Sequence, residues 1–269
     1  MPAAKRDSPA AKRNYHHGDL RHALLEAAWR LVAEKGLAAL TLREVARAAG
    51  VSHAAPYHHF PTRTALLDAL AVEGFAGLDR AMAEAMACPA AGDQAAETAT
   101  PGPGDPVPSP AEPGQTPRPV DGADVMVRIG RAYVDFACAH PEQLQVMFRP
   151  RHHDSEGPPP PALAEIGAQA YGHLADAVRA CQAQGLAPAG DPGELTLSAW
   201  SLVHGFASLW CQGQLGALIP GPEQFARQRD QLLGNLQAGW QATAAAPAAP
   251  AAPAAQIGSA PKAVAPHTV

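Results

Sequence analysis

The stretch TLREVARAAGVSHAAPYHHF, residues 41–60, constrains the fold more than any other part of the chain. Thr41 and Glu44 form a Ser/Thr-x-x-Glu capping box, which predicts that a helix begins after Thr41. Gly50 is predicted to end this helix, since glycine takes the left-handed position after a helix without steric cost. Ser52 is then predicted to cap a second short helix. Two short helices joined by a tight glycine turn indicate a helix-turn-helix whose second helix enters the major groove of DNA.

The side chains of the predicted second helix, residues 53–58, indicate how it would meet DNA. His53 and His58 can hydrogen-bond a base edge or a phosphate. Ala54 and Ala55 allow close approach and contact with a thymine methyl group. The helix contains no Arg or Lys, so the commonest side-chain contact to guanine is missing from it. Base reading is therefore expected to depend on the histidines, on an arginine of the preceding helix and on DNA shape.

Residues 20–67 resemble the DNA-binding domain of the TetR/AcrR family of bacterial transcriptional regulators. The resemblance is carried by Glu34-Lys35-Gly36, Leu40 to Ala46, Ala49 to Ser52, Tyr57 to Phe60, Arg63 and Ala65 to Leu67. It implies that Tyr57 places its hydroxyl on a phosphate and that Arg43 and Arg63 lie on the DNA backbone or on bases. His59 has two interpretations, a DNA contact or a residue that fastens the end of the helix. The predicted DNA-binding residues are Thr41, Arg43, Ser52, His53, Ala54, Ala55, Tyr57, His58, His59 and Arg63.

The distribution of charge agrees with DNA binding at one end of the chain. Residues 1–63 contain ten Lys and Arg against five Asp and Glu, a net charge of +5. The whole chain contains 20 basic and 25 acidic residues, so the remainder has 10 and 20, a net charge of −10. A basic N-terminal part on an acidic body is typical of a protein whose N-terminal part alone meets phosphate.

Composition also limits the class of protein. The four cysteines, Cys88, Cys138, Cys181 and Cys211, are dispersed, which favours buried helix residues over a disulfide framework. The first 15 residues lack the apolar region of a signal peptide, and the most apolar stretch, 199–219, is interrupted by polar side chains. We therefore expect a cytoplasmic protein without a membrane partner.

The chain divides into a DNA-binding part, a helical body and segments of low complexity. Residues 1–15 are a predicted flexible basic arm, which either touches phosphates or is a solvated tail. The DNA-binding domain is predicted at 16–63 and a helical regulatory and dimerisation domain at 64–240. Inside the body, residues 89–122 form a Pro-rich insertion, and residues 241–269 form an Ala/Pro tail. Both are predicted to be disordered, since they contain too few apolar groups to offset the entropy of ordering.

Apolar periodicity predicts long helices on both sides of the helix-turn-helix and in the body, at residues 19–35, 61–86, 123–139, 141–148, 162–184, 191–215 and 222–240. The segment 191–215 has two apolar stripes about 180° apart, one through Ala199 and Phe206 and one through Trp200 and His204. Such a helix is expected to be covered on both faces, by the core and by a partner helix or a ligand.

Two parts of the body resemble one class of TetR-family C-terminal domain. Trp200, His204 and Gly205 match its Trp-His-Gly signature, and the stretch 133–148 is similar to the same class. The resemblance implies that the last two helices pair with those of a second copy as a four-helix bundle. For His204, a structural role in the core or interface stands beside a role in sensing ligand. The predicted ligand-binding residues are Tyr133, Phe136, Met147, Trp200 and His204.

The sequence thus predicts an all-α fold, with an N-terminal three-helix DNA-binding domain and a C-terminal helical domain for ligand binding and dimerisation. The predicted function is a homodimeric transcriptional regulator, a repressor released from a pseudo-palindromic double-stranded operator by a small, mostly apolar effector. The alternative is a helical regulator that binds protein and has lost specific DNA reading. No GxSxG, P-loop or HExxH motif is present, so no enzyme, cofactor or metal site is predicted, including at the His-His pairs 16–17 and 152–153.

Overall fold

The computed structural model describes residues 17–87, 122–151 and 157–246. Within these residues the fold is all-α, as predicted, with eight α-helices and two 3₁₀ turns. The helices are α1 His17–Lys35, α2 Leu42–Ala48, α3 Arg63–Ala87, α4 Gly122–Ala139, α5 Pro141–Met147, α6 Pro161–Ala183, α7 Pro192–Cys211 and α8 Pro222–Ala245. The 3₁₀ turns are Leu37–Ala39 and Ala55–His58. The predictions for residues 1–16, 88–121, 152–156 and 247–269 lie outside the described residues.

The first helix of the motif forms as its sequence predicts. The Thr41 hydroxyl accepts a hydrogen bond from the backbone N–H of Glu44 at 3.2 Å, so Thr41 caps α2. Gly50 follows the helix with a φ of +69°, a conformation that favours glycine. The N–H of Val51 then bonds to the Ala46 carbonyl at 3.0 Å and closes the turn. The Thr41 cap and the glycine turn are therefore confirmed, whereas the Glu44 carboxylate pairs with Arg47 instead of completing the capping box.

The second helix of the motif differs from its prediction. Residues 55–58 form a single 3₁₀ turn, and the side chain of Ser52 caps nothing. In an α-helix capped by Ser52, the first internal hydrogen bond would run from the N–H of residue 56 to the Ser52 carbonyl. Residue 56 is proline and has no N–H. The Ser52 carbonyl accepts from the N–H of Ala55 instead, at 3.0 Å, which gives the tighter i to i+3 pattern.

Helix α3 belongs to two hydrophobic clusters. Its first half contributes Leu66 and Leu70, both fully buried, to the cluster built with α1 and α2. Its second half contributes Leu78 and Met82 to the cluster of the body. The head is defined as α1, α2, the 3₁₀ turns and the first half of α3, and the body as the second half of α3 with α4 to α8.

Several contacts join the head to the body. Val146 of α5 and Leu163 of α6 complete the head cluster from the body side. These contacts indicate that the two clusters are packed as one unit along α3.

A buried ionic cluster lies at the same junction. Asp68 of α3 accepts from the Arg149 guanidinium at 2.6 Å and also pairs with Arg151. Asp68 is only 6% exposed, so its charge depends on these partners. The Arg151 Nε atom is buried and finds no acceptor among the described residues.

The helices of the body differ from their predicted limits by more than one residue at two ends. Helix α7 ends at Cys211 rather than at 215, because Gly213 takes a φ of +75° and the chain turns. Helix α8 continues to Ala245, five residues into the predicted tail, since alanine is the best helix former and no proline occurs between positions 223 and 246. The buried face of α7 runs through Thr196, Ala199, Val203, Phe206 and Ala207, between the two predicted stripes.

Candidate functional sites

The predicted DNA-binding residues form an exposed surface around the helix-turn-helix. Eight of the ten are exposed, and only Ala55 and His59 are half-buried. Tyr57 is 55% exposed, whereas Pro56 and Phe60 on either side of it are buried. The short 3₁₀ turn is thus anchored through Pro56 and Phe60 while the phenol of Tyr57 points outward.

The arginines of this surface have different partners. Arg47 pairs with Glu44 one turn away on α2. Arg43 is exposed and makes no ion pair or hydrogen bond with any residue that the structure describes. A free guanidinium next to the turn can bind a phosphate or the edge of a guanine.

Arg63 has a structural role that the sequence did not indicate. Its Nε and Nη2 atoms donate to the carbonyls of Leu40 and Leu37, at 2.7 and 2.8 Å. The side chain therefore fastens the start of α3 to the connection between α1 and α2. Arg21 adds a second unexpected contact, with its guanidinium 5.5 Å from the ring centre of Phe60.

The body encloses an apolar cavity of about 90 Å³ between five helices. Helix α3 contributes Phe75, Leu78 and Met82 to its wall, and α8 contributes Leu233 and Trp240. The remaining wall residues belong mainly to α4, α6 and α7, and the polar groups among them are few. The same helix that supports the helix-turn-helix thus forms one wall of the cavity.

The predicted ligand-binding residues divide into two groups. Tyr133 and Trp200 line the cavity, whereas Phe136, Met147 and His204 are not part of its wall. Phe136 and Met147 are buried against glycines of α3 instead: a Cβ atom on Gly77 would lie 3.0 Å from the Phe136 ring, and one on Gly74 would lie 2.8 Å from Met147.

His204 lies behind the cavity wall in a chain of hydrogen bonds. Its Nδ1 atom is 2.7 Å from the Tyr133 hydroxyl, and its Nε2 atom is 3.3 Å from the Ser208 hydroxyl. The Trp200 and His204 rings are stacked, with their centroids 5.1 Å apart. A neutral imidazole has one N–H, so either the Tyr133 hydroxyl donates to Nδ1 while Nε2–H donates to Ser208, or Nδ1–H donates to Tyr133 while Nε2 accepts from Ser208.

The pKa shifts agree with a neutral chain. Burial raises the pKa of Tyr133 well above its usual value, so the phenol keeps its proton. Burial also lowers the pKa of His204, which favours the neutral imidazole that this chain requires. The Trp and His of the signature therefore contact each other directly on α7, and His204 is also bonded to Tyr133 of α4, a connection that sequence spacing alone did not reveal.

Several wall residues were absent from the predicted set, notably Tyr171, Leu233, Gln237 and Trp240. The apolar stripe of α8 gave a signal for Leu233, since that stripe had to face the rest of the body. For Trp240 the signal was its size and position at the end of the stripe. For Tyr171 and Gln237 no local pattern was available.

A second apolar depression, the α7–α8 groove, lies on the outer face of the body. It is lined by Ser201, Leu202, Gly205, Phe206, Leu209, Leu215, Leu218, Ile219, Gln228 and Leu232. Leu209 is 41% exposed and Leu218 is 72% exposed. Gly205, the last residue of the Trp-His-Gly signature, has no atom within 4 Å of where a Cβ would lie. Another helix can approach α7 closely there.

Among residues 17–87, 122–151 and 157–246, no helix is both long and apolar enough to cross a membrane. In the same part of the chain, no three His, Cys, Asp or Glu side chains come together as a metal site would require.

Two family models match the chain. The one described as "Bacterial regulatory proteins, tetR family" matches residues 24–70. The one described as "Tetracyclin repressor-like, C-terminal domain" matches residues 126–233. These matches fall on the two parts of the chain that carry the sequence resemblance. No curated protein matches the chain significantly.

Solved structures are similar over most of the chain. A protein of unknown function from Rhodococcus sp. RHA1 is 30% identical, with a TM-score of 0.58 over 84% of this chain and 100% of that chain. The TetR family transcriptional regulator PfmR from Thermus thermophilus is 16% identical, with a TM-score of 0.54 over 80% and 97%. The regulator FadR from Bacillus subtilis, in complex with stearoyl-CoA, is 13% identical, with a TM-score of 0.57 over 81% and 98%.

Proposed function

The chain belongs to the TetR family of bacterial regulatory proteins, and we propose that it is a homodimeric repressor that a small, mostly apolar effector releases from a pseudo-palindromic operator. This proposal rests on one observation, that α3 is part of both the head and the body. One end of this helix packs in the core of the DNA-binding head, and its other end lines the cavity of the body. A change in the cavity can therefore reach the head through a single continuous element.

The exposed surface of the head supports the DNA part of the proposal. Arg43 and Tyr57 are exposed beside the turn and suit phosphate or base contacts. His53 and His58 are exposed on the turn itself and suit base edges. Arg63 and His59 would act mainly by holding the turn in place, Arg63 through its bonds to two backbone carbonyls.

The cavity supports the effector part. Its wall is largely apolar, with Tyr133 and Gln237 among its few polar groups, so an apolar molecule with one hydrogen-bonding group fits its chemistry. Its volume of about 90 Å³ is well below the ~300–1,000 Å³ of typical ligand pockets. An effector must therefore widen the cavity. Widening displaces α3 against α4 and α6, and the displacement moves the head.

The α7–α8 groove supports the dimer. Leu209 of α7 and Leu218 of the connection to α8 are exposed, and the other leucines of the groove are half-buried beside them, an arrangement that monomeric proteins usually cover. A second copy related by a two-fold axis presents the same groove, so the leucines of the two copies can bury each other. Two heads on such a dimer would read two half-sites.

The test is selection of DNA from a random pool by the purified full-length protein, followed by binding at several salt concentrations. We expect a motif with two half-sites and an affinity that falls with salt, because phosphate contacts release counterions. Arg43→Ala should weaken binding and reduce the salt slope by about one. Arg179→Ala, which removes an exposed arginine of α6 paired with Asp176, is the control and should change neither.

The second candidate function is a regulator that binds a protein and no longer reads bases. It is favoured by one observation, that the short 3₁₀ turn has no Arg or Lys. In that case the selection would recover no motif, and Arg43→Ala would leave DNA binding unchanged. A clear two-half-site motif would rule the second candidate out.

A further inference from the structure

Two cysteines that are 73 positions apart in the sequence come together at the ends of two helices. Cys138 is the last residue but one of α4, and Cys211 is the last residue of α7. The Cys211 thiol contacts the Ala137 carbonyl oxygen at 3.3 Å. That oxygen is roughly 2.8 Å from the Cα atom of the next residue, as bond lengths require. The Cys211 sulfur therefore lies within about 6 Å of the Cys138 Cα atom, near enough for the two thiols to influence each other's pKa.

The two thiols are chemically unequal. The neighbouring Cys138 thiol lowers the pKa of Cys211, because it can hydrogen-bond the thiolate. The neighbouring Cys211 sulfur, together with burial, raises the pKa of Cys138, so this thiol keeps its proton. Both side chains are free and half-buried, so a small reagent can reach them. A thiol of lowered pKa beside a thiol that keeps its proton is the usual arrangement of a pair that forms a disulfide.

We propose that Cys138 and Cys211 form an oxidation site, at which a peroxide produces a disulfide between α4 and α7. The Cys211 thiolate attacks one peroxide oxygen, the O–O bond breaks, and the products are Cys211 sulfenic acid and hydroxide. The Cys138 sulfur then attacks the sulfenic sulfur and forms the S–S bond. Hydroxide leaves and takes the Cys138 proton as water. Overall, two thiols and one hydrogen peroxide give one disulfide and two waters.

The disulfide would act on the cavity of the proposed function, on which this consequence rests. Helix α4 carries Tyr133 and Ile129 in the cavity wall, and α7 carries Trp200 and Val203. A bond between the ends of these two helices restrains their separation. Because the thiols already lie together in the narrow form of the cavity, the bond favours that form and opposes the widening that an effector needs.

The site is tested with the full-length protein treated with hydrogen peroxide and digested without reduction. We expect mass spectrometry to find one cross-linked peptide pair, Cys138 with Cys211, with a loss of two hydrogen masses that dithiothreitol reverses. Cys138→Ser and Cys211→Ser should each abolish it. Cys181, which is buried in the cavity wall, is the internal control and should stay reduced. Recovery of sulfinic acid at Cys211 without the cross-link would overturn the proposal.

The consequence is tested with 1-anilinonaphthalene-8-sulfonate as a fluorescent apolar probe of the cavity. We expect the oxidised protein to bind the probe several-fold more weakly than the reduced protein, and Cys138→Ser to show no difference between the two treatments. Equal probe binding in both forms would overturn the restraint on the cavity. Neither result depends on operator binding, so a failure here is distinct from a failure of the DNA selection.

Discussion

The head and the body place their chemistry on opposite sides of their cores. In the head, Leu24, Val45 and Leu66 are fully buried, and the candidate DNA contacts lie outside on an exposed surface. In the body, the exposed surface carries mainly the α7–α8 groove, and the candidate ligand contacts lie inside around an unfilled volume. The head thus has a well-packed core that keeps its DNA-facing surface rigid. The body has a core with a cavity, so its helices can change their arrangement.

The difference matters because both regions share α3. A closed core transmits a displacement as a rigid unit, since its side chains have no room to adjust. An unfilled core can respond to a molecule of suitable shape, since the volume is available at little cost in contacts. The contacts of Val146 and Leu163 with the head mean that movement within the body cannot leave the head unaffected.

The largest effect is expected at the junction of the two regions. Asp68→Asn removes the negative charge that Arg149 and Arg151 share, while their guanidinium groups stay largely shielded from solvent. Removing one partner of a buried ion pair costs about 3–5 kcal/mol. Asp176→Asn, at an exposed pair with Arg179, is the control and should cost less than about 1 kcal/mol. Urea unfolding measures both, and equal midpoints for the two variants would contradict the importance of this junction.

The second prediction compares the two cores by the same substitution. Ala28→Leu in α1 adds three carbons at a fully buried position that does not line the cavity, so we expect a loss of about 1–3 kcal/mol from overpacking. Ala170→Leu in α6 adds the same atoms beside the cavity. We expect its stability to be equal to or above that of the original protein, while binding of an apolar probe falls. The comparison fails if both variants lose the same stability, as measured by thermal unfolding.

The predictability of each region from sequence follows from the same difference. The caps and turn of the head depend on neighbours within a few residues, so Thr41, Glu44 and Gly50 were enough to predict α2 and the turn. The predicted Ser52 cap was wrong for an equally local reason, the proline four residues later. The position of that proline was a readable signal, because it removes the first hydrogen bond of the helix that Ser52 would cap.

The cavity could be predicted only in part, because it depends on which residues face each other across the body. An apolar stripe indicates that Phe136 and Met147 are buried, but it does not indicate what lies opposite. Here the opposite residues are Gly77 and Gly74 of α3, so both large side chains fill space instead of bordering a cavity. The same limit applies to the Tyr133–His204 hydrogen bond, which joins residues 71 positions apart.

The third prediction applies Tyr→Phe in both regions. Tyr133→Phe removes the hydroxyl that bonds to His204 and leaves the Nδ1 atom of His204 without this partner, which costs about 1–3 kcal/mol. Tyr57→Phe in the head removes an exposed hydroxyl, so its stability should stay within about 0.5 kcal/mol. Its operator affinity should nevertheless fall, by up to about tenfold for one lost hydrogen bond. Unfolding and DNA-binding titrations of both variants test this, and a destabilised Tyr57→Phe would contradict it.

The smallest effect concerns protons inside the body. Burial lowers the pKa of His204 below its ordinary value of 6.5. Between the lowered folded pKa and that ordinary value, the unfolded chain therefore binds more protons at this residue than the folded chain. The contribution of His204 to stability is fully present above about 6.5 and is lost as the pH falls through the folded pKa.

We expect the Tm of the protein to decrease as the pH falls below about 6.5. The Tm of His204→Gln should decrease less over the same pH range. Above about pH 7, where both states hold a neutral imidazole, the difference in Tm between the two proteins should be constant. Thermal unfolding from pH 5 to pH 8 in buffers of equal ionic strength measures both curves. Parallel curves over the whole range would mean that the imidazole accepts a proton in place without breaking its bond to Tyr133, and the neutral hydrogen-bond chain would then be incorrect.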